Sequence, residues 1–81
     1  MKRFEYIYSI DFDLNNPYIE SALLQGREIL EVYLDGIGRS EIITSGIPTG
    51  QQVHYKSSYG RITFPMVPDD LTNIVVLYQD I

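Results

Sequence analysis

The run Ile29-Leu30-Glu31-Val32-Tyr33-Leu34-Asp35-Gly36 places Leu30, Val32 and Leu34 on one side of the chain and Glu31, Tyr33 and Asp35 on the other. Alternation with period two is the pattern of a strand with one buried face, because successive side chains of extended backbone point to opposite sides. Asp35-Gly36 then ends the strand, since both residues tolerate the backbone of a tight turn. A strand with one apolar face needs a second apolar surface to cover it, and the flanking segments must supply that surface.

Upstream, residues 3–12 repeat the alternation. Phe4, Tyr6, Tyr8, Ile10 and Phe12 share one face, while Glu5, Ile7, Ser9 and Asp11 share the other. Five large groups on one face belong in a core or an interface. Residues 1–12 are therefore expected to form a long first strand able to pair with a neighbouring subunit. Asp13 to Pro17 has turn composition. Beyond it two conformations are open. Asn16 and Pro17 can start a short helix over 17–25, closed by Gly26, or Ser21 to Leu24 can run extended.

Downstream, Ile37 to Ser40 reads as a loop and Ser40 to Thr44 as a short strand. Ser45-Gly46-Ile47-Pro48-Thr49-Gly50 is loop chemistry. Val53 and Tyr55 alternate with Gln52, His54 and Lys56, and Ser58-Tyr59-Gly60 turns the chain into a strand over Arg61 to Phe64 with Ile62 and Phe64 inward. Pro65 and Pro68 bracket a connection to the last strand, Asn73 to Gln79, whose two apolar faces suit a central position. Short strands at this spacing, divided by Gly and Pro turns, predict an all-β fold: a small immunoglobulin-like β-sandwich or barrel of six or seven mostly antiparallel strands.

Eighty-one residues make a single domain near the lower limit for one hydrophobic core. With no cysteine, neither a disulfide nor a thiolate metal site can brace it, which leaves good packing or assembly with other chains. The formal net charge is -5, and eight of the eleven acids precede residue 42, so phosphate backbones and anionic membranes are repelled. No apolar run approaches the roughly 20 residues that span a bilayer. Met1-Lys2-Arg3-Phe4-Glu5 carries basic residues without a following apolar region, so no secretory signal is read there.

Residues with chemical potential are scattered. Asp11, Asp13 and Asn15 open like a calcium loop, but Asn16 stands where the loop needs glycine and Ala22 where it needs the bidentate glutamate. A polar turn is the better reading. His54, the single histidine, alternates with Gln52 and Lys56 on a solvent-facing row and lacks the partners that catalysis or zinc would require. Asp69-Asp70 and Glu28-Glu31 read as solvated carboxylates, and Gly36-x-Gly38 lacks the remaining parts of a phosphate loop. Catalytic residues, metal ligands and cofactors are expected to be none. The compositional feature that points to function is seven tyrosines with no tryptophan. Exposed tyrosine gives contact area at low entropic cost, and the expected contact residues are Phe4, Tyr6, Tyr8, Ile10, Tyr33, Tyr55 and Tyr59.

Three pieces taken in order, Val32-Tyr33-Leu34-Asp35-Gly36, Gly60-Arg61-Ile62-Thr63-Phe64 and Leu71 with Ile74-Val75-Val76-Leu77-Tyr78, resemble small β-rich modules of bacteriophage tail fibres and other virion appendages. The resemblance spans about residues 29–79, with Asp35 in place of the usual asparagine and a loop inserted at Ser45 to Gly50. It implies a non-enzymatic building block of a virion, such as a head fibre, capsid decoration or tail appendage. Its expected partners are other virion proteins and copies of itself, without nucleic acid or membrane insertion. The alternative is an adhesion or carbohydrate-binding module that holds a glycan with Tyr33, Tyr59 and the loops at Gly36–Ser40 and Ser45–Gly50.

Overall fold

A computed structural model describes residues 1–39 and 41–81. In chain order the strands are β1 (Lys2–Ile7), β2 (Tyr18–Glu20), β3 (Arg27–Leu34), β4 (Ile37–Gly38), β5 (Glu41–Ile43), β6 (Gln52–Lys56), β7 (Arg61–Thr63) and β8 (Asn73–Asp80). One helical turn, α1 (Ile10–Asp13), follows β1, and a 3-10 turn, Ala22–Leu24, precedes β3. Among the described residues the strands form two sheets of four, ordered β1-β8-β3-β4 and β2-β7-β6-β5. Every pairing is antiparallel except β5 with β6. The all-β expectation holds.

The core lies between the sheets. Val32 and Leu34 of β3 with Ile74, Val76 and Tyr78 of β8 face Ile19, Val53, Tyr55 and Ile62 of the second sheet. Each aliphatic side chain fully buried this way stabilises the fold by roughly 1.5–3 kcal/mol. The Asp35-Gly36 turn is as expected: both residues have positive φ, 51° and 82°, and Leu34 pairs directly with Ile37. Ile37 and Gly38 are therefore a short strand, where a loop was expected. Ser40, at the start of the strand expected over Ser40 to Thr44, lies outside the described residues, and the strand is seen over Glu41–Ile43.

Three further expectations are corrected. The alternation of β3 is broken by a bulge: Ile29 pairs with Tyr78 and Glu31 with Leu77, leaving Leu30 as the extra residue. Ile29, not Leu30, continues the core-facing row set by Val32 and Leu34. The first strand stops at Ile7 because Ser9 caps a helix. Its Oγ accepts the Phe12 N–H at 3.3 Å, and the Asp13 carboxylate accepts the Ser9 N–H at 2.9 Å. Leu14, in left-handed conformation, ends that helix after one turn. Finally, 17–25 is not one helix. Tyr18–Glu20 pairs with β7, anchored where Phe64 N–H donates to the Pro17 carbonyl at 2.7 Å. Ladder pairing to an existing hairpin outweighs a helix too short to be stable alone.

The last strand is central in its sheet, as expected, but one of its two apolar faces is only half-buried. β8 lies between β1 and β3 and alternates buried Ile74, Val76 and Tyr78 with half-buried Val75 and Leu77 on the outer face. Among the described residues, no helix is long and apolar enough to cross a membrane.

Candidate functional site

The first candidate surface is built on the hairpin between β6 and β7. Register opposes Lys56 to Arg61 and His54 to Thr63, and β2 extends these rows with Glu20 and Tyr18. Because Tyr55, Ile62 and Ile19 point into the core, these six side chains all lie on the outer face. The connecting turn Ser57–Gly60 is tied down by backbone bonds from Ser21 N–H to the Gly60 carbonyl and from Gly26 N–H to the Ser57 carbonyl. That fixes Tyr59 beside the row of charges. The Lys56 ammonium sits 4.5 Å from the centre of the Tyr59 ring. The Arg61 guanidinium lies 4.2 Å from the Tyr18 ring and 5.1 Å from the Tyr59 ring. Arg61 Nε donates to Glu20 at 2.7 Å. Cations held against aromatic faces in this way gain about 0.5–1 kcal/mol each at an exposed site.

The second candidate is one end of the sandwich. Ile7 pairs with Asn73, Leu34 with Ile74 and Leu34 with Ile37, so the end of β1, the start of β8 and the β3–β4 turn all meet there. Helix α1 is pinned to the segment before β8, with the Ile10 N–H on the Asp70 carboxylate at 3.0 Å and the Leu71 N–H on the Tyr8 carbonyl at 2.7 Å. Phe12, Leu14, Ile37, Met66 and Leu71 are exposed here, and Val67 is 38% exposed. A groove of about 440 Å³ runs between Ile37, Arg39, Gln51 and the Pro65–Asp69 segment. Arg39 donates to Gln51 Oε1 at 2.8 Å across it. Leu14 and Leu71 both have positive φ, 56° and 64°, a costly backbone for a side chain that is then left in solvent.

The expected contact residues separate. Tyr8 is fully buried and Tyr55 nearly so, which removes both from the surface. The Tyr8 hydroxyl donates to the Asn16 carbonyl, and the Tyr55 hydroxyl donates to the Leu24 carbonyl. Phe4, Tyr6 and Ile10 are half-buried and pack against the core. Tyr6 donates to Asp13 at 2.6 Å, and burial, reinforced by that bond, pushes its phenol up to about 12. Burial also raises Tyr8, with the Asp13 charge adding to it. Tyr33 stands on the outer face of the first sheet, its ring covering Gly38 and its hydroxyl donating to Glu31, which raises its pKa. Tyr59 alone joins a cluster of charged groups.

Asp13 is engaged by Tyr6 and the Ser9 N–H. Among the described residues, no group of three or more His, Asp or Glu side chains is placed to hold a metal ion. Sequence reading missed Lys56, Arg61 and Tyr18 as a unit. A signal was there, because a four-residue turn at Ser57–Gly60 sets Lys56 and Arg61 directly opposite each other.

No family model, no curated protein and no solved structure matches this chain. The chemistry of the two surfaces therefore carries the argument: one offers oriented cations beside hydroxyl and imidazole groups, the other a projecting apolar rim.

Proposed function

We propose that this protein is a non-enzymatic assembly module that docks on other protein chains, including copies of itself, through the apolar end of the sandwich. The observation that carries this reading is the display of Leu14 and Leu71, 74% and 68% exposed, on left-handed backbone next to exposed Phe12. A left-handed leucine costs roughly 1–2 kcal/mol, and solvent exposure returns little of it. Burial against a second protein surface would. Ile37, Met66 and Val67 line the groove at the same end of the sandwich, and exposed apolar side chains gathered at one end of a domain mark contact sites. The strand motifs' similarity to virion appendage modules supports the same role, a repeated component of a phage particle such as a head fibre, capsid decoration or tail appendage. A small core without disulfides is stabilised further when subunits bury each other's surface.

Light scattering across a dilution series tests the reading. A discrete oligomer that persists to low micromolar concentration, and that the double substitution Met66→Asp, Leu71→Asp converts to a folded monomer, is the expected outcome. A monomer at every concentration removes self-assembly. An oligomer indifferent to both substitutions moves the interface away from this end.

A further inference from the structure

We propose that the outer face of the β2-β7-β6-β5 sheet is a binding site for an acidic saccharide, with the anionic group seated at Lys56 and Arg61 and the sugar hydroxyls on Thr63 and His54. This inference stands on a different surface from the assembly reading and does not depend on it.

The distribution of charge is the first argument. The chain has six basic residues against eleven acids. Lys2, Arg3 and Arg27 are each within ion-pair distance of a carboxylate, and Arg39 is held by Gln51. Lys56 pairs with no carboxylate among the described residues. It stands directly across the ladder from Arg61, an arrangement that destabilises a sheet on its own. Glu20 offsets one of the two charges, and Glu41, on the same face, stands at the far edge of the sheet beside Gln52. The result is a local positive spot on a protein of net charge -5, a place where an oxyanion is attracted and most of the remaining surface repels it.

Orientation is the second. Tyr18 and Tyr59 both lie against the Arg61 guanidinium, and Glu20 takes only its Nε. The terminal nitrogens hydrogen-bond to no described residue and remain for a ligand. Holding a guanidinium in place beforehand lowers the entropic cost of binding. Tyr59, with its backbone anchored at Gly60, keeps the Lys56 ammonium close by.

The neighbouring row decides the ligand class. Two residues along the strands, about 7 Å away, His54, Thr63 and Tyr18 present an imidazole, a hydroxyl and a phenol, all half-buried on the same face. A free inorganic anion would use only the charged row. A hexose carrying a carboxylate or sulfate fits both, since its hydroxyls can donate to and accept from these neutral groups while its anion takes the charge-assisted bonds.

Amide chemical shifts of labelled protein, followed at constant ionic strength, test this with five probes: glucuronic acid, a sulfated hexose, glucose, inorganic sulfate and a phosphorylated peptide. The expected result is saturable change at Tyr18, Lys56, Arg61 and Thr63 with both acidic sugars, and about tenfold weaker binding of glucose. Lys56→Gln, at an exposed position that leaves the core intact, weakens the acidic sugars by about tenfold. Thr63→Val weakens the sugars while leaving inorganic sulfate unchanged. Inorganic sulfate binding as tightly as the sulfated hexose would overturn the saccharide assignment, because the site would then read charge alone. A phosphorylated peptide binding more tightly than either sugar would overturn it in favour of a protein ligand. No saturable shift with any probe removes the site.

Discussion

Gly60 lies against the backbone of Ser21, with the Ser21 N–H donating to the Gly60 carbonyl at 3.1 Å. A Cβ on Gly60 would run into the Ser21 carbonyl oxygen and stand 2.9 Å from the Gln25 nitrogen. Gly60 also has a φ of 63°. This close approach joins the β6–β7 turn to the segment between β2 and β3, and through Tyr59 it sets the geometry of the cationic face.

Gly60→Ala should therefore cost about 3 kcal/mol or more, from backbone strain added to a clash with main-chain atoms that cannot give way. Gly50 separates the two effects. Its φ is 60°, but an added Cβ there meets nothing within 4 Å, so Gly50→Ala should cost only about 1–2 kcal/mol. Urea denaturation of both variants measures the difference. Equal losses would show that the Gly60 contact relaxes freely.

Tyr55 links the two sheets. It sits on β6, yet its hydroxyl donates to the Leu24 carbonyl and accepts the Arg27 N–H at 3.1 Å, at the entrance to β3. Tyr55→Phe keeps the ring packed and leaves the buried Leu24 carbonyl and the partly buried Arg27 N–H without their partner. The expected loss is about 1–3 kcal/mol, read by denaturant unfolding. A neutral result would mean that water replaces the hydroxyl.

Much of this architecture is legible in the sequence, and the misses have local causes. Val32 and Leu34, Val53 and Tyr55, and Ile62 and Phe64 all face the core as their alternation predicts. Leu30 does not continue the pattern, because a bulge is a property of two paired strands and β8 lies more than forty residues away. Tyr8 satisfied the period of a strand, but the caps at Ser9 and Asp13 turned the chain after Ile7. Tyr18 to Leu24 carried helix signals that pairing with β7 overrode. The cationic face was hidden for the same reason as the bulge: Tyr18 comes within reach of Arg61 only through the β2–β7 register.

At acid pH, Asp80 should set part of the stability. The Lys2 ammonium, bonded to it at 3.1 Å, holds its carboxyl below the ordinary value of 3.8, and the Arg27 charge adds to this. The folded state therefore favours the ionised form. That stability is present above pH 3.8 and is lost as pH falls through the lower folded value. Asp80→Asn should flatten the acid limb of a Tm-against-pH curve. An unchanged limb would assign acid sensitivity to other carboxylates.

At alkaline pH the sign reverses. Tyr6 titrates near 12 when folded and at 10.0 in its ordinary state, so the fold favours the neutral phenol. Its contribution is complete below pH 10.0 and disappears as pH rises through about 12. Tyr6→Phe should reduce the alkaline slope of stability over that window and remove one late step from the ultraviolet titration of the tyrosines. Tyr8, raised by burial, keeps part of the slope.

Leu14 and Leu71 give the sharpest division between folding and function. Both occupy left-handed backbone, and both side chains are mostly in solvent, so replacing them removes little buried surface. Asparagine adopts this conformation readily because its short polar side chain bonds locally. The backbone bonds at these positions, Leu14 N–H to the Ile10 carbonyl and Leu71 N–H to the Tyr8 carbonyl, survive the change. Leu14→Asn and Leu71→Asn should each stabilise the isolated domain by about 1 kcal/mol, a rise in Tm of about 4–8 °C for a domain of this size. The same substitutions should weaken assembly, because they delete the apolar groups that the strained backbone displays. Calorimetry under monomeric conditions and light scattering under associating ones read the two effects separately. Higher stability with unimpaired association would mean that the leucines are not contact residues. Lower stability would mean that their backbone is relaxed, and the argument from strain to function would fall with it.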